Sequence, residues 1–215
     1  MFTGIVAACG EITAVNPLGE GDSHGFRLQV QANQLDLSDV SIGDSIAIQG
    51  ACMTVVQMQG NSFAVDVSQE SLNKTVGLNI PGPVNLEKAM RLSDRIGGHL
   101  VSGHVDGLGS VVSFTQVGES WELIIQAPAM LARYLAYKGS VVVNGVSLTV
   151  NDVQDLANGP VISINLIPHT VQNTTLKSLS ENDGVNLEID LIARYVDRMN
   201  QVDSQASQSQ SGRAG

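Results

Sequence analysis

Two short segments of the chain carry the same small polar groups at the same spacing. Gly50-Ala51-Cys52-Met53-Thr54-Val55 and Gly145-Val146-Ser147-Leu148-Thr149-Val150 each read glycine, then a thiol or hydroxyl, then threonine two residues on. In an extended strand residues i and i+2 share a face, so Cys52 sits beside Thr54, and Ser147 beside Thr149. Such pairs can meet the polar edge of a flat heteroaromatic ring, and Gly50 and Gly145 would let backbone approach that ring closely. The copies differ where reactivity matters. Cys52, a candidate nucleophile or general acid–base, stands where the other copy has Ser147. Similar surfaces with unlike reactive groups suit two molecules of one ligand playing unlike parts. A turn glycine followed by a strand of small packed residues, with Cys52 an inert core thiol, gives the same pattern, so the motif alone leaves both open.

The histidines divide in the same way. His99 and His104 stand five apart in the extended stretch Gly97-Gly98-His99-Leu100-Val101-Ser102-Gly103-His104-Val105. They therefore project to opposite faces, which disfavours a shared metal. His104 follows Gly103 at a position that is Ile5 in the other copy, and is the preferred proton carrier. His169, in Ile167-Pro168-His169-Thr170, aligns with Glu70 and reads as a residue at a pocket rim. His24 lies in a loop rich in Gly, Asp and Ser and reads as solvated. Two cysteines, Cys9 and Cys52, allow neither a disulfide framework nor a CxxC metal site. No P-loop, dinucleotide fingerprint, Ser-His-Asp order or paired-carboxylate site is present, so neither metal nor cofactor is expected.

The elements that position these groups are repeated. Ser45 to Val55 reads SIAIQGACMTV and Ser140 to Val150 reads SVVVNGVSLTV; Val84-Asn85-Leu86-Glu87 recurs as Val185-Asn186-Leu187-Glu188; and Thr3-Gly4-Ile5-Val6 matches Ser102-Gly103-His104-Val105. Three blocks in one order, with spacings that drift by a few residues, indicate internal duplication. Strand patterns cover 25–31, 45–49, 53–58 and 62–67, then 109–114, 121–126, 140–144, 148–153 and 161–166. Gly60-Asn61 reads as a tight turn. Five or six short antiparallel strands per unit suit a small closed barrel or sandwich. Two amphipathic helices are expected, one over 129–137 and one over 189–199. The second places Ile192, Tyr195, Val196 and Met199 on one face, to be covered by its own barrel or by another subunit. A linker is expected over 89–98. From Gln201 the chain turns to Gln, Ser, Ala and Gly and is expected to be a disordered tail.

Composition narrows the function classes. The chain has 215 residues, 43% apolar and 15% charged, with a net charge of −10. It can bury a core, and its 11 scattered basic residues argue against nucleic-acid binding. No apolar run approaches the roughly 18 residues of a membrane span, and the first residues lack the charged and apolar stretches of a signal peptide, so neither is expected. A cytoplasmic, mostly β protein is expected.

The motifs already quoted, with Met1-Phe2-Thr3-Gly4-Ile5-Val6 at the start, together resemble riboflavin synthase, alpha chain, from residue 1 to about 198. Ala51 and Met53 depart slightly from the residues usual in that family and stay apolar. The resemblance implies an all-β fold of two tandem six-stranded Greek-key barrels with a C-terminal α-helix. The barrels would span 1–96 and 97–190, the helix 191–200 and the tail 201–215. It implies a transferase of riboflavin biosynthesis that dismutates two molecules of 6,7-dimethyl-8-ribityllumazine into riboflavin and 5-amino-6-ribitylaminouracil, without metal or cofactor. It further implies a homotrimer, with sites shared between neighbouring subunits, and raises lumazine synthase as a partner. One ring would be held by Gly4, Ile5 and Val6, by Cys52, Met53 and Thr54, and by Asp66-Val67-Ser68-Gln69-Glu70-Ser71. The other would be held by Gly103, His104 and Val105, by Ser147, Leu148 and Thr149, and by Ile167-Pro168-His169-Thr170-Val171-Gln172, with Lys138 reaching across the subunit boundary. Positioning and proton shuttling fall to Ser45, Cys52, His104, Ser147, Thr149 and Asp190. One rival, a flavin-using oxidoreductase domain of related barrel topology, would need a nicotinamide partner domain; the other is a non-catalytic lumazine or flavin carrier. The second copy's polar groups, His104, Ser147 and Thr149, weigh against it.

Overall fold

The computed structural model describes residues 1–19 and 25–211; His24 lies outside the described residues. Six strands, β1 (Ala8–Pro17), β2 (Phe26–Gln31), β3 (Ser45–Ile48), β4 (Ala51–Gln59), β5 (Ser62–Val67) and β6 (Gly82–Lys88), close into a barrel in the order β1-β2-β5-β4-β3-β6. Six more, β7 (Gly107–Val117), β8 (Ser120–Gln126), β9 (Ser140–Val143), β10 (Val146–Leu156), β11 (Gly159–Leu166) and β12 (Gly184–Ile189), close a second barrel with the same circular order. All pairings are antiparallel, and closure leaves no free sheet edge in either barrel.

The duplication extends to the irregularities. The first strand of each barrel shifts register at Ile12/Ala14 and at Val111/Ser113, and the fourth shifts at Val55/Gln57 and at Val150/Asp152. A bulge bends and twists its strand, so four bulges at matched positions give the barrels matched curvature. Inside each barrel the alternate residues form a core of their own. Ile12, Leu28, Ile46, Val55 and Leu86 fill the first, and Leu123, Val141, Val150, Ile164 and Leu187 the second.

The barrels meet across a pseudo-twofold seam of backbone and carboxamides. Gln49-Gly50 and Asn144-Gly145 turn between strands with positive φ at both residues (50° and 87°; 50° and 84°), as a tight hairpin requires. The two turns pack on each other: a Cβ on Gly50 would stand 2.7 Å from the Gly145 nitrogen. Gly50 and Gly145 thus make room for each other's backbone rather than for a ligand, which corrects the sequence reading. Around them Asn85 Nδ2 donates to the Asn144 carbonyl at 2.8 Å and Asn186 Nδ2 to the Gln49 carbonyl at 3.0 Å. These side chains are nearly fully buried, and each bond replaces one that water would make.

The helices differ from expectation in extent. Residues Ala129–Tyr134 form a 3₁₀ turn, and Leu135 is already extended. With three residues per turn, Leu131 and Leu135 reach the core while Met130 is left exposed. Ile189 belongs to β12, buried and paired with Val141, so the last helix starts later than its periodicity suggested. That helix, α3 (Leu191–Ser211), continues past Asn200; the expected disordered tail is helical through Ser211, and 212–215 lie outside the described residues. Its Gln, Ser and Ala tolerate helix. Two further helices, α1 (Gln69–Asn73) and α2 (Pro168–Asn173), were not anticipated. Each follows the fifth strand of its barrel and packs one residue, Leu72 or Val171, on that barrel's core, α1 starting with Ser68 accepting from the Ser71 N–H and α2 with proline in its first turn.

Candidate functional site

On β4, Ala51, Met53 and Val55 point into the barrel, leaving Cys52 half-buried and Thr54 exposed on the outer wall. On β10, Val146, Leu148 and Val150 point inward, and Ser147 and Thr149 take the same outer positions. The paired polar groups therefore do share a face, and that face lies outside the barrel, not in its lumen.

Each outer face is crossed by a segment from the other half of the chain. The strap Thr3–Val6 precedes the first barrel in sequence yet lies on the second: the Ser147 N–H donates to the Gly4 carbonyl at 2.7 Å, and Val6 packs on the second core. The strap Ser102–Val105 lies on the first: the Cys52 N–H donates to the Gly103 carbonyl at 2.8 Å, and Val105 packs on the first core. Between the straps Phe2 and Val101 exchange both backbone bonds, and Phe2 is fully buried. The grouping drawn from the resemblance is corrected accordingly. Gly4, Ile5 and Val6 stand with Ser147, and Gly103, His104 and Val105 with Cys52. Sequence repeats align the straps with each other, but nothing local says over which barrel each one falls.

Close approach explains both strap glycines. Gly4 (φ +73°) and Gly103 (φ +79°) are in the left-handed region, and an added Cβ would stand 2.6 Å from Ser147 Cβ and 2.7 Å from Cys52 Cβ respectively. Beneath each strap lies a buried carboxylate. Glu87 accepts from the Thr3 N–H and Oγ1, both at 2.7 Å, and from the Gly4 N–H at 3.0 Å. Glu188 accepts from the Ser102 N–H at 2.6 Å, Ser102 Oγ at 2.7 Å, the Gly103 N–H at 2.9 Å and the His104 N–H at 3.0 Å. Burial pushes both carboxyls above the usual range, and the donors pull them back only in part. In the sequence these glutamates are simply the ends of a repeated Val-Asn-Leu-Glu.

At the first face a cavity of about 190 Å³ is lined by Cys52, Met53, Ser71, Lys74, Gly103 and His104 among others. His104 is exposed at its edge. Asp66 makes a two-pronged ion pair with Arg27 (2.7 and 2.9 Å), which holds its carboxyl below the usual range. Glu70 is engaged by Lys74 at 2.7 Å. At the second face His99 Nδ1 lies 2.7 Å from Ser147 Oγ. Its Nε2 is buried without a partner. Burial lowers the imidazole pKa, with nearby Asp190 opposing, so the ring favours its neutral form. The two histidines thus serve different faces, and His99, ranked below His104 on sequence grounds, is the one bonded to a candidate site residue. Ile5 and Ile167 are exposed here. His169 and Gln172 line a neighbouring cleft of about 510 Å³ with Val6, Cys9 and Lys177.

Three candidates lie outside these cavities. Ser45, opposite Thr54 on β3, lines a cavity of about 260 Å³ with Asp39, Asp44 and Lys88. Asp190 caps α3, its Oδ1 accepting from the Ile192 N–H at 2.9 Å, and lines a cavity of about 500 Å³ with Ser140, Arg133 and Val196. Lys138, exposed, reaches Asn151 at 2.9 Å. The described residues contain no cluster of three or more His, Cys, Asp or Glu that could hold a metal. No described helix is long and apolar enough to cross a membrane.

The family model for the lumazine binding domain matches the chain twice, over residues 3–89 and 102–190, so that each match begins at a strap. Riboflavin synthase of Photobacterium phosphoreum is 43% identical over 205 residues, covering 94% of this chain and 90% of that one. The enzyme of Mycobacterium tuberculosis is 41% identical over 203 residues, covering 93% and 98%. That of Bacillus subtilis is 36% identical over 200 residues, covering 92% and 89%. Among solved structures, LumP complexed with 6,7-dimethyl-8-(1'-D-ribityl) lumazine superposes with a TM-score of 0.73 at 24% identity, over 88% of this chain and 99% of that one, a likeness of fold. Two lumazine binding domains in tandem, matched nearly end to end by these enzymes, place the chain in the riboflavin synthase family.

Proposed function

We propose that the protein converts two molecules of 6,7-dimethyl-8-ribityllumazine into riboflavin and 5-amino-6-ribitylaminouracil, acting as a transferase of a four-carbon unit. The observation that carries this reading is the pair of matched outer faces, each with two small polar groups under a strap. One ring lies on the Cys52–Thr54 face with Gly103, His104, Val105 and residues 66–71. The other lies on the Ser147–Thr149 face with Gly4, Ile5, Val6 and residues 167–172. The reaction balances between its substrates, since one lumazine gives up the four carbons that the other receives. Its first demand is orientation: holding two rings in contact contributes up to ~7–11 kcal/mol in favourable cases. Its second is removal of a proton from the methyl at C7, whose carbanion delocalises into the ring, so that a modest base can take the proton. A neutral His99 hydrogen-bonded to Ser147 supplies one such base at the second face, and Cys52 with His104 a different set at the first.

Bringing two faces together is assigned to assembly. Ile192, Tyr195, Val196 and Met199 of α3 are all at least half exposed, an apolar stripe that its own barrel does not cover. A homotrimer joined along this helix would cover it and set the first face of one subunit against the second face of its neighbour, with Lys138 and Asp190 at the boundary. We place the protein in the cytoplasm, with lumazine synthase as the partner that supplies substrate.

The test is turnover by the purified chain, treated with chelator and given lumazine alone. Two lumazines consumed per riboflavin formed support the reading. Lumazine bound with no riboflavin formed would replace it with a carrier role.

A further inference from the structure

We propose that Glu87 and Glu188 are positioning residues that each act on the ligand face of the opposite barrel. This rests on the function proposed above. The connection runs through two short chains of hydrogen bonds. From β6 of the first barrel, Glu87 Oε2 holds the Gly4 N–H at 3.0 Å, and the Gly4 carbonyl holds the Ser147 N–H of the second barrel at 2.7 Å. From β12 of the second barrel, Glu188 Oε2 holds the Gly103 N–H at 2.9 Å, and the Gly103 carbonyl holds the Cys52 N–H of the first at 2.8 Å.

The chemistry of the acceptors makes the role specific. Every group facing these carboxylates in the bonds above is a donor, and both oxygens of each are used. An ionised carboxylate is an acceptor only and can take them all. Glutamine has nearly the same shape, yet must turn an NH₂ group toward one set of N–H donors. Both side chains are buried (8% and 3% exposed), so no water stands ready to relieve that conflict. The strap then lifts, and with it the wall of a ring site whose other residues belong to the opposite barrel.

The test uses the full chain with Glu87→Gln and Glu188→Gln. Without ligand, Glu87→Gln should speed amide hydrogen exchange at Ser147 about tenfold and leave Cys52 within about twofold; Glu188→Gln should do the reverse. With lumazine, titrated against backbone amide signals that distinguish the faces, Glu87→Gln should weaken binding at the Ser147 face about tenfold and spare the Cys52 face, and Glu188→Gln again the reverse. Effects confined to the glutamate's own barrel, equal at both faces or absent from both would overturn the proposal. Should a glutamine variant fail to fold, Thr3→Ala and Ser102→Ala remove one donor each and must give the same crossed pattern, more weakly. Wild-type protein that binds no lumazine would overturn the function proposed above, and the ligand-free exchange would still decide the positioning role.

Discussion

Ser147 donates its backbone N–H to the carbonyl of Gly4 at 2.7 Å, across 143 residues of sequence and from one barrel's wall to the other barrel's leading segment. Its counterpart joins Cys52 to Gly103. Neither of the two proposed ligand faces is built from one barrel alone.

Replacing either strap glycine tests this directly. Gly4→Ala must hold φ +73° with a side chain and push against Ser147 Cβ. A strained backbone of this kind costs about 1–3 kcal/mol. Thermal denaturation should shift down accordingly. Lumazine affinity should fall at the Ser147 face before the Cys52 face, and Gly103→Ala should show the opposite order.

Cys52 and Ser147 differ by sulfur against oxygen at matched positions. Cys52→Ser makes the two matched positions alike and should lower kcat roughly a hundredfold, the low end of what a proton-transfer group contributes, with lumazine affinity within about threefold. Steady-state kinetics beside a binding titration separates the two. A wild-type kcat would assign Cys52 to packing.

His99 gives a dependence on pH. Burial holds its folded pKa below the ordinary 6.5, against the pull of Asp190. Between the folded value and 6.5 the unfolded chain binds more protons than the native one, so stability is fully present above 6.5 and falls as the pH drops through that window. Urea denaturation at about pH 7.5 and about pH 5.5 should show a smaller difference in His99→Gln than in wild type. A ring that NMR shows to be protonated near neutrality would contradict the neutral base assigned here.

A chain ending at Asp190 removes the exposed stripe of Ile192, Tyr195, Val196 and Met199. Analytical ultracentrifugation should show a lower assembly mass, and kcat should fall because sites on neighbouring subunits no longer face each other. An unchanged mass would place the helix outside the assembly contacts.

The repeat makes the two barrels legible in the sequence. Ser45 to Val55 against Ser140 to Val150 carries the hairpin and the ligand strand of each, and alternation marked most other strands. β1 escaped because Gly10 and the bulge at Ile12/Ala14 interrupt its period of two, and β6 and β12 stood out only as the repeated Val-Asn-Leu-Glu, not as strands. α1 and α2 were missed because five or six residues hold less than two helical turns of pattern. The crossing of the straps was invisible for a different reason. Thr3–Val6 and Ser102–Val105 look alike, and their partners lie far along the chain, so periodicity carries no information about which face each covers. Glu87 and Glu188 were in view as repeated letters, and only the donors around them reveal their work.

The exchanged straps also bear on ancestry. Suppose the gene once encoded a single barrel. Two copies, each lending its first residues to the other around a twofold axis, would reproduce the Gly4–Ser147 and Gly103–Cys52 bonds as one contact made twice. Gln49-Gly50 meeting Asn144-Gly145 would be a self-contact on that axis, where a mutation is felt twice at once. Fusion into one gene would release the halves from identity, so that one face could carry a thiol and the other a hydroxyl beside a histidine. Unlike chemistry on twin surfaces is then the inheritance of a symmetric pair that learned to tell its members apart.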